Sequence, residues 1–465
     1  MPSPFLASAG AATVPIEPIE RNRLAAWLGR QSAALKSWVA STGFKAEAGS
    51  ISLVPGANGR LARVLVGTEP GEDLWAFAGL PTTLPAANSY AIMADLKPEA
   101  ATRAALGWAL GSYAFTRYKK ATATPARLVW PARADRARVT REAAAIAMAR
   151  DLINTPAADM GPSHLAEAAR ALARRRGARF SVIVGDELLR RNYPSIHAVG
   201  RAAANKPRLI DFTWGNPRDP KVTLVGKGVC FDSGGLDIKP SSNMLLMKKD
   251  MGGGAHVLGL ADMIMGARLP VRLRVMVPAV ENMIAGNAYR PMDIIRTRKG
   301  ITVEIGNTDA EGRIILCDAL AEAAGEKPEM IVDFATLTGA ARVALGPDLP
   351  VLFSNSDKLA GDLLRHGEAE GDQLWRLPLW QPYRKMMESK AADTSSTGNS
   401  PHAGSITAAL YLELFVEKDI PWAHFDIMAW NSHARPGRPE GGEAQAIRAV
   451  YAMIAERFGA KRRRR

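Results

Sequence analysis

The chain has 465 residues, of which 47% are hydrophobic and 23% charged. That is ordinary globular composition in a chain too long for one core, so two domains are expected. No run of about 18 uncharged apolar residues occurs, which excludes a membrane-spanning helix, and residues 1–20 lack a basic segment ahead of an apolar core, so no signal peptide is expected. The net charge of +14, from 60 basic and 46 acidic residues, raises nucleic acid or another polyanion as a partner. Much of the excess is local, in Lys461–Arg465 and in Arg174–Arg176, where cations suit the end of a helix. No helix-turn-helix, zinc finger or aromatic-basic RNA motif is present. Two cysteines, Cys230 and Cys317, make no disulfide framework and point to a reducing, cytoplasmic setting.

Residues 1–130 alternate short apolar runs, Ile51–Val54 and Ala62–Val66, with an Ala-rich stretch at 98–115. This reads as a smaller, non-catalytic N-terminal α/β domain, with residues 131–465 as the larger catalytic one. A helix is expected over 140–153, ending at Asn154-Thr155-Pro156, where proline forbids continuation. Another spans 162–176. Strands are expected at 180–184, 208–214, 221–225, 271–277 and 330–334, with 208–214 and 221–225 joined by a Gly/Asn/Pro turn. Helices fit 186–191, 254–266, 314–324 and 406–417. Strands alternating with helices make a central, mostly parallel sheet covered on both faces. The loop at 393–405, ahead of a helix, is expected at an active-site rim.

Two acidic clusters stand out. Gly306-Asn-Thr-Asp-Ala-Glu-Gly-Arg313 places Asp309 and Glu311 between a strand-like run, 301–305, and a helix starting near Ile314. On extended backbone, residues two apart share a side. An acidic turn capping a helix and a divalent-metal site both fit this spacing. The second cluster, Val225-Gly-Lys-Gly-Val-Cys-Phe-Asp-Ser-Gly-Gly235, is followed by Lys239 and Asp250. Lys227 and Asp232 follow directly on a strand, where open α/β sheets bind ligands. The spacing of a phosphate loop is absent. Asp250 alone would read as a helix N-cap. Together, Asp232, Asp250, Asp309 and Glu311 form an oxygen-rich set able to bridge two hard or borderline ions. His256, His402, His424 and His433 show no metal-ligand spacing and read as packed or surface residues.

These segments closely resemble the leucine aminopeptidase (cytosol aminopeptidase) family. The resemblance rests on 225–235, Lys239, Asn243-Met244, Asp250-Met-Gly-Gly253, Glu281-Asn-Met283, Arg290-Pro291, Asn307–Arg313, Asp333–Ala340 and Ala149–Pro156. It runs from about Arg138 to the C-terminus. It implies a metalloaminopeptidase that removes an N-terminal residue from peptides, through a hydroxide bridging two ions. Lys227, Asp232, Asp250 and Glu311 would hold one ion, and Asp232, Asp309 and Glu311 the other. Lys227 must be neutral to serve, so a metal beside it has to depress its pKa. Binding of the substrate's free α-amine by one ion would explain exopeptidase selectivity. Lys239 would stabilise the developing oxyanion, and Arg313 would hold a bicarbonate acting as general base. The ions would be manganese or zinc, or else magnesium or cobalt. Met247, Thr336, Leu337, Gly339 and Met428 would form the substrate pocket, although core packing equally suits Met247 and Leu337. The assembly would be a homohexamer.

The chain departs from the family pattern at His424-Phe-Asp-Ile-Met-Ala-Trp-Asn431, where Met428 and Trp430 are bulkier than the usual small residues, and at Asn399 and His402. A neutral or apolar, leucine-like side chain is the expected preference. The surplus positive charge makes an added DNA-binding or regulatory role the alternative reading.

Overall fold

The computed structural model describes residues 3–10, 12–71, 74–121 and 123–459. The basic tail at 461–465 therefore lies outside the described residues. The chain divides into two compact units, one of residues 1–147 with 432–440, the other of residues 148–431 with 441–465.

The N-terminal unit carries strands β1 (Phe5–Leu6), β2 (Thr13–Glu20), β3 (Ile51–Pro55), β4 (Leu61–Thr68), β5 (Ser89–Ile92) and β6 (Arg127–Val129). They form one sheet in the order β1-β6-β5-β2-β4-β3, parallel throughout except between β3 and β4. Alternation along β4 sends Val64 and Val66 into a core with Phe77, Tyr90 and Trp108. Leu65 enters a second core with Leu35, Val39 and Phe44. Both faces are therefore covered. The segment Ser432–Glu440 groups with this unit, and Arg438 lies 4.0 Å over the ring of Trp75.

The second unit contains β7 (Arg179–Val184), β8 (Arg208–Trp214), β9 (Lys221–Gly226), β10 (Gly228–Asp232), β11 (Arg272–Asn282), β12 (Ile294–Arg296), β13 (Thr302–Glu304), β14 (Met330–Ala335), β15 (Val351–Ser354), β16 (Trp375–Arg376), β17 (Thr394–Ser395) and β18 (Trp422–Asp426). Its main sheet runs β16-β15-β18-β14-β9-β11-β8-β7, with β10 paired to β11. The strands around β9 are parallel, and antiparallel pairs lie toward the edges. This is the expected mixed α/β architecture with a mostly parallel centre. The helices Gly252–Gly266 and Glu311–Gly325 are almost wholly buried. Val225, Met276 and Ile331 pack with Ile315 and Ala319 of the second helix, while a Cβ at Gly226 would strike Val257 of the first. Successive residues of β9 thus meet opposite layers.

Two local features add to the expected strands, which stand where the sequence places them. The strands 208–214 and 221–226 are not neighbours, because β11 lies between them, antiparallel to β8 and parallel to β9. Every residue of β9 after Lys221 is buried, a pattern that suits a central strand with a parallel partner on each side. Asp232 does not follow directly on β9, because Gly228–Asp232 forms β10 and Asp232 ends that strand.

Candidate metal centre

Lys227 is the hinge of the site. It joins β9 to β10, and its backbone N–H donates to the Phe334 carbonyl oxygen on β14 (3.0 Å). Gly253 makes this close approach feasible, since a Cβ there would lie 2.0 Å from that same oxygen and 2.8 Å from the Lys227 nitrogen. The buried Lys227 ammonium pairs with Asp250 (2.7 Å) and Glu311 (2.8 Å) and donates to the Thr336 carbonyl oxygen (2.8 Å).

Asp232 is aimed by two donors. Its Oδ1 accepts from the Gly234 N–H (2.9 Å) and from Asn282 Nδ2 (2.8 Å). Its Oδ2 is left facing the Lys239 ammonium (2.8 Å), which also pairs with Asp309. Gly234 and Gly235 make the following turn at φ +89° and +66°, the left-handed region that glycine favours.

Asp250 is not a helix cap. It sits in the 3-10 turn Met247–Met251, and its Oδ1 accepts from Thr336 Oγ1 (2.6 Å). The Asp309–Glu311 pair is not on extended backbone. Thr308–Ala310 is a 3-10 turn and the helix begins at Glu311, three residues earlier than the sequence reading. Asn307 Oδ1 accepts from the Asp309 N–H (2.7 Å) and starts the turn. Tyr289 Oη and Asn282 Nδ2 both donate to the Thr308 carbonyl oxygen (2.6 and 3.0 Å), pinning it against β11.

The result is convergence. Carboxylate oxygens of Asp232, Asp309 and Glu311 lie within 4.8 Å of one another. Asp250 Oδ2, Asp309 Oδ1 and Glu311 Oε1 are buried and accept no well-directed hydrogen bond, facing only lysine ammonium groups. Buried carboxylates that lack directed donors suit a divalent cation.

The electrostatics agree. Burial, with the charge of Asp232 beside it, pushes the Glu311 carboxyl well above its ordinary range. Burial and the neighbouring Asp250 push Asp232 up to about 6. Burial opposes ionisation of Asp250 too, but the Lys227 ammonium outweighs it and holds that carboxyl low. Burial would deprotonate Lys227, yet Asp250, Glu311 and Asp232 together hold its ammonium well above the ordinary lysine value. The two lysines therefore supply positive charge where ions would sit. An ion held by Lys227 would have to expel its proton, so ion affinity would fall as pH falls, and below about 6 protonation of Asp232 would compete as well.

These groups open onto a cavity of about 330 Å³. Its wall contains Lys227, Asp232, Lys239, Asp250, Asp309 and Glu311, and also the five expected pocket residues Met247, Thr336, Leu337, Gly339 and Met428. Arg313 is not on that wall. It is buried, and its Nη1 donates to the Ser396 carbonyl oxygen (2.8 Å), while its Nε has no hydrogen-bond partner among the described residues. The 393–405 stretch, expected at the rim, contributes no lining residue. It instead supports the turn, as Ser396 Oγ accepts from the Gly306 N–H (2.9 Å). His424 pairs with Asp333 (2.6 Å) and His256 accepts from the Gln445 N–H (2.8 Å), both as packed residues. The wall further includes Lys249, Thr338 and Arg342, which sequence reasoning missed. Lys248-Lys249 beside Asp250 reads as an ordinary charged face, although burial pushes Lys249 down to about 8.

A profile of the cytosol aminopeptidase family's catalytic domain matches residues 147–451, and one of the M17 aminopeptidase N-terminal domain matches residues 14–131. The chain belongs to the cytosol aminopeptidase family. This is a family of metal-dependent peptidases, and the two-domain architecture is the one its profiles describe. A probable cytosol aminopeptidase of Roseiflexus castenholzii is 42% identical over 385 residues, covering 78% of each chain. One of Syntrophotalea carbinolica is 45% identical over 315 residues, which is 67% of this chain and 63% of that one. Among solved structures, the cytosol aminopeptidase of Coxiella burnetii superposes with a TM-score of 0.94 at 50% identity, covering 98% of this chain and 99% of that one. The bottromycin maturation enzyme BotP in complex with Mn gives 0.87 at 34%, covering 96% and 100%.

Proposed function

We propose that this family member removes the N-terminal residue, neutral or apolar and leucine-like, from peptides in cytoplasmic peptide turnover. The observation that carries this reading is the convergence of Lys227, Asp232, Asp250, Asp309, Glu311 and Lys239 on one cavity. Lys227, Asp232, Asp250 and Glu311 hold one divalent ion, and Asp232, Asp309 and Glu311 the other. Manganese or zinc is the proposed ion, with magnesium or cobalt as substitutes. The Mn complex of BotP supports manganese. When bound, two such ions supply Lewis acidity and an activated water.

The chain's own groups do the rest. Lys239 places a positive charge where the carbonyl oxygen becomes an oxyanion. Asn282 and Thr336 orient Asp232 and Asp250 through the hydrogen bonds above, as the outer partners of ligating carboxylates do. Met247, Leu337 and Met428 give the first residue's side chain an apolar wall. Arg313 holds a bicarbonate that serves as general base, a role supported by a buried guanidinium whose Nε lacks a partner. The active assembly is a homohexamer. The surplus of 14 positive charges keeps an added DNA-binding role as the alternative.

Turnover of an aminoacyl anilide panel with added manganese, zinc or cobalt tests the reading. Release of the amino acid from leucyl and methionyl anilides, with blocked N-acetyl analogues inert, is the expected result. Cleavage of the blocked substrates would contradict recognition of a free α-amine and with it the aminopeptidase reading.

A further inference from the structure

The cavity wall carries a positive charge that the chemistry above leaves unanswered. Lys249 is only 1% exposed, and it lines the cavity. Its side chain makes no hydrogen bond or ion pair with any described residue. The two carboxylates whose charges reach it are Asp250 and Asp426. Both are engaged by other donors. Asp250 serves Lys227 (2.7 Å) and Thr336 Oγ1 (2.6 Å). Asp426 accepts from the N–H groups of Leu337 (2.9 Å) and Thr338 (3.2 Å) and from Thr338 Oγ1 (2.6 Å). A buried ammonium without a counter-charge is costly, and a ligand that brings the missing charge relieves that cost.

A second cation stands on the same wall. Arg342, in the helix Gly339–Leu345, makes no ion pair with a described residue, and its charge reaches Lys249. Its Nη2 would lie 3.5 Å from a Cβ at Gly339, another residue of the wall. Two cations facing one cavity repel each other until an anion enters between them. Beside them stand Met247, Leu337 and Met428. The wall thus offers aliphatic side chains together with these two cations.

We infer that Lys249 and Arg342 form a subsite for a carboxylate of the substrate. The inference rests on the aminopeptidase reading and extends its substrate class. A glutamyl residue suits the wall, because its methylenes match the aliphatic side chains and its carboxylate meets the cations. The C-terminal carboxylate of a dipeptide carries the same chemistry.

The test uses the manganese-loaded full chain and its Lys249→Met and Arg342→Gln variants. The readouts are kcat/KM for glutamyl and leucyl p-nitroanilides, and for the dipeptide Leu-Gly against its C-terminal amide. Loss of one charge-assisted contact should lower the relevant ratio by ~10–100-fold, chiefly through KM. A fall in the glutamyl-to-leucyl ratio assigns the subsite to the first side chain. A fall confined to Leu-Gly over its amide assigns it to the substrate's C-terminus. Both ratios unmoved, with leucyl anilide still cleaved, overturns the subsite and leaves the peptidase reading standing. A wild-type chain inert toward every aminoacyl substrate overturns both. Inhibition of the wild-type chain gives a readout free of folding effects. If the subsite takes the first side chain, L-glutamate should inhibit more strongly than L-glutamine, and equal inhibition contradicts that assignment.

Discussion

Glu311→Gln abolishes turnover and empties at least one ion position. The side chain keeps its volume, so packing at the start of the helix Glu311–Gly325 is retained. Lys227 also keeps its contacts with Asp250 and the Thr336 carbonyl oxygen, which limits the cost of leaving a buried ammonium half-paired. What disappears is the charge shared between the two proposed ions. Turnover should fall by at least roughly 10³-fold, more than the loss of a single oxyanion donor typically costs. Elemental analysis should find fewer ions per chain than in the wild type, while thermal unfolding still shows a cooperative transition. A variant that retains both ions and wild-type turnover would remove Glu311 from the site.

Lys239→Met separates charge stabilisation from ion binding. In the structure its ammonium neutralises Asp232 and Asp309. In the proposed mechanism bound ions would take over that neutralisation and leave the lysine charge for the substrate oxygen. The variant should keep its ions, since it loses a competing cation rather than a ligand. Its kcat should fall by about 10²–10³ with KM little changed, the pattern of an interaction made only in the transition state. Unchanged kcat with lowered ion content would make Lys239 a structural partner of the carboxylates instead.

The sequence made the chemistry legible before the geometry. Lys227, Asp232, Lys239, Asp250, Asp309 and Glu311 were named from their clusters, and they line one cavity. The reason is physical: such sites sit at strand ends and helix starts, where acids and glycines leave a readable local pattern. Local conformation was less legible. Asp309 and Glu311 converge through a 3-10 turn rather than along a strand, because the Asn307 side chain and the pinned Thr308 carbonyl fix that turn. Strand order was hidden, since the insertion of β11 between β8 and β9 depends on contacts about 50–70 residues away in the chain. The grouping of Ser432–Glu440 with the N-terminal unit was hidden for the same reason. Lys249 escaped notice because a lysine next to a lysine reads as surface, and only burial without a partner sets it apart.

In the proposed function Lys227, Asp232, Asp250, Asp309 and Glu311 hold two ions on which turnover depends. Titrating manganese into metal-stripped wild-type protein tests it most directly, with binding by calorimetry and leucyl anilide turnover followed together. The account predicts an inert metal-free chain, two ions bound per chain, and turnover that returns as the second site fills. Full turnover by the metal-stripped chain would contradict it.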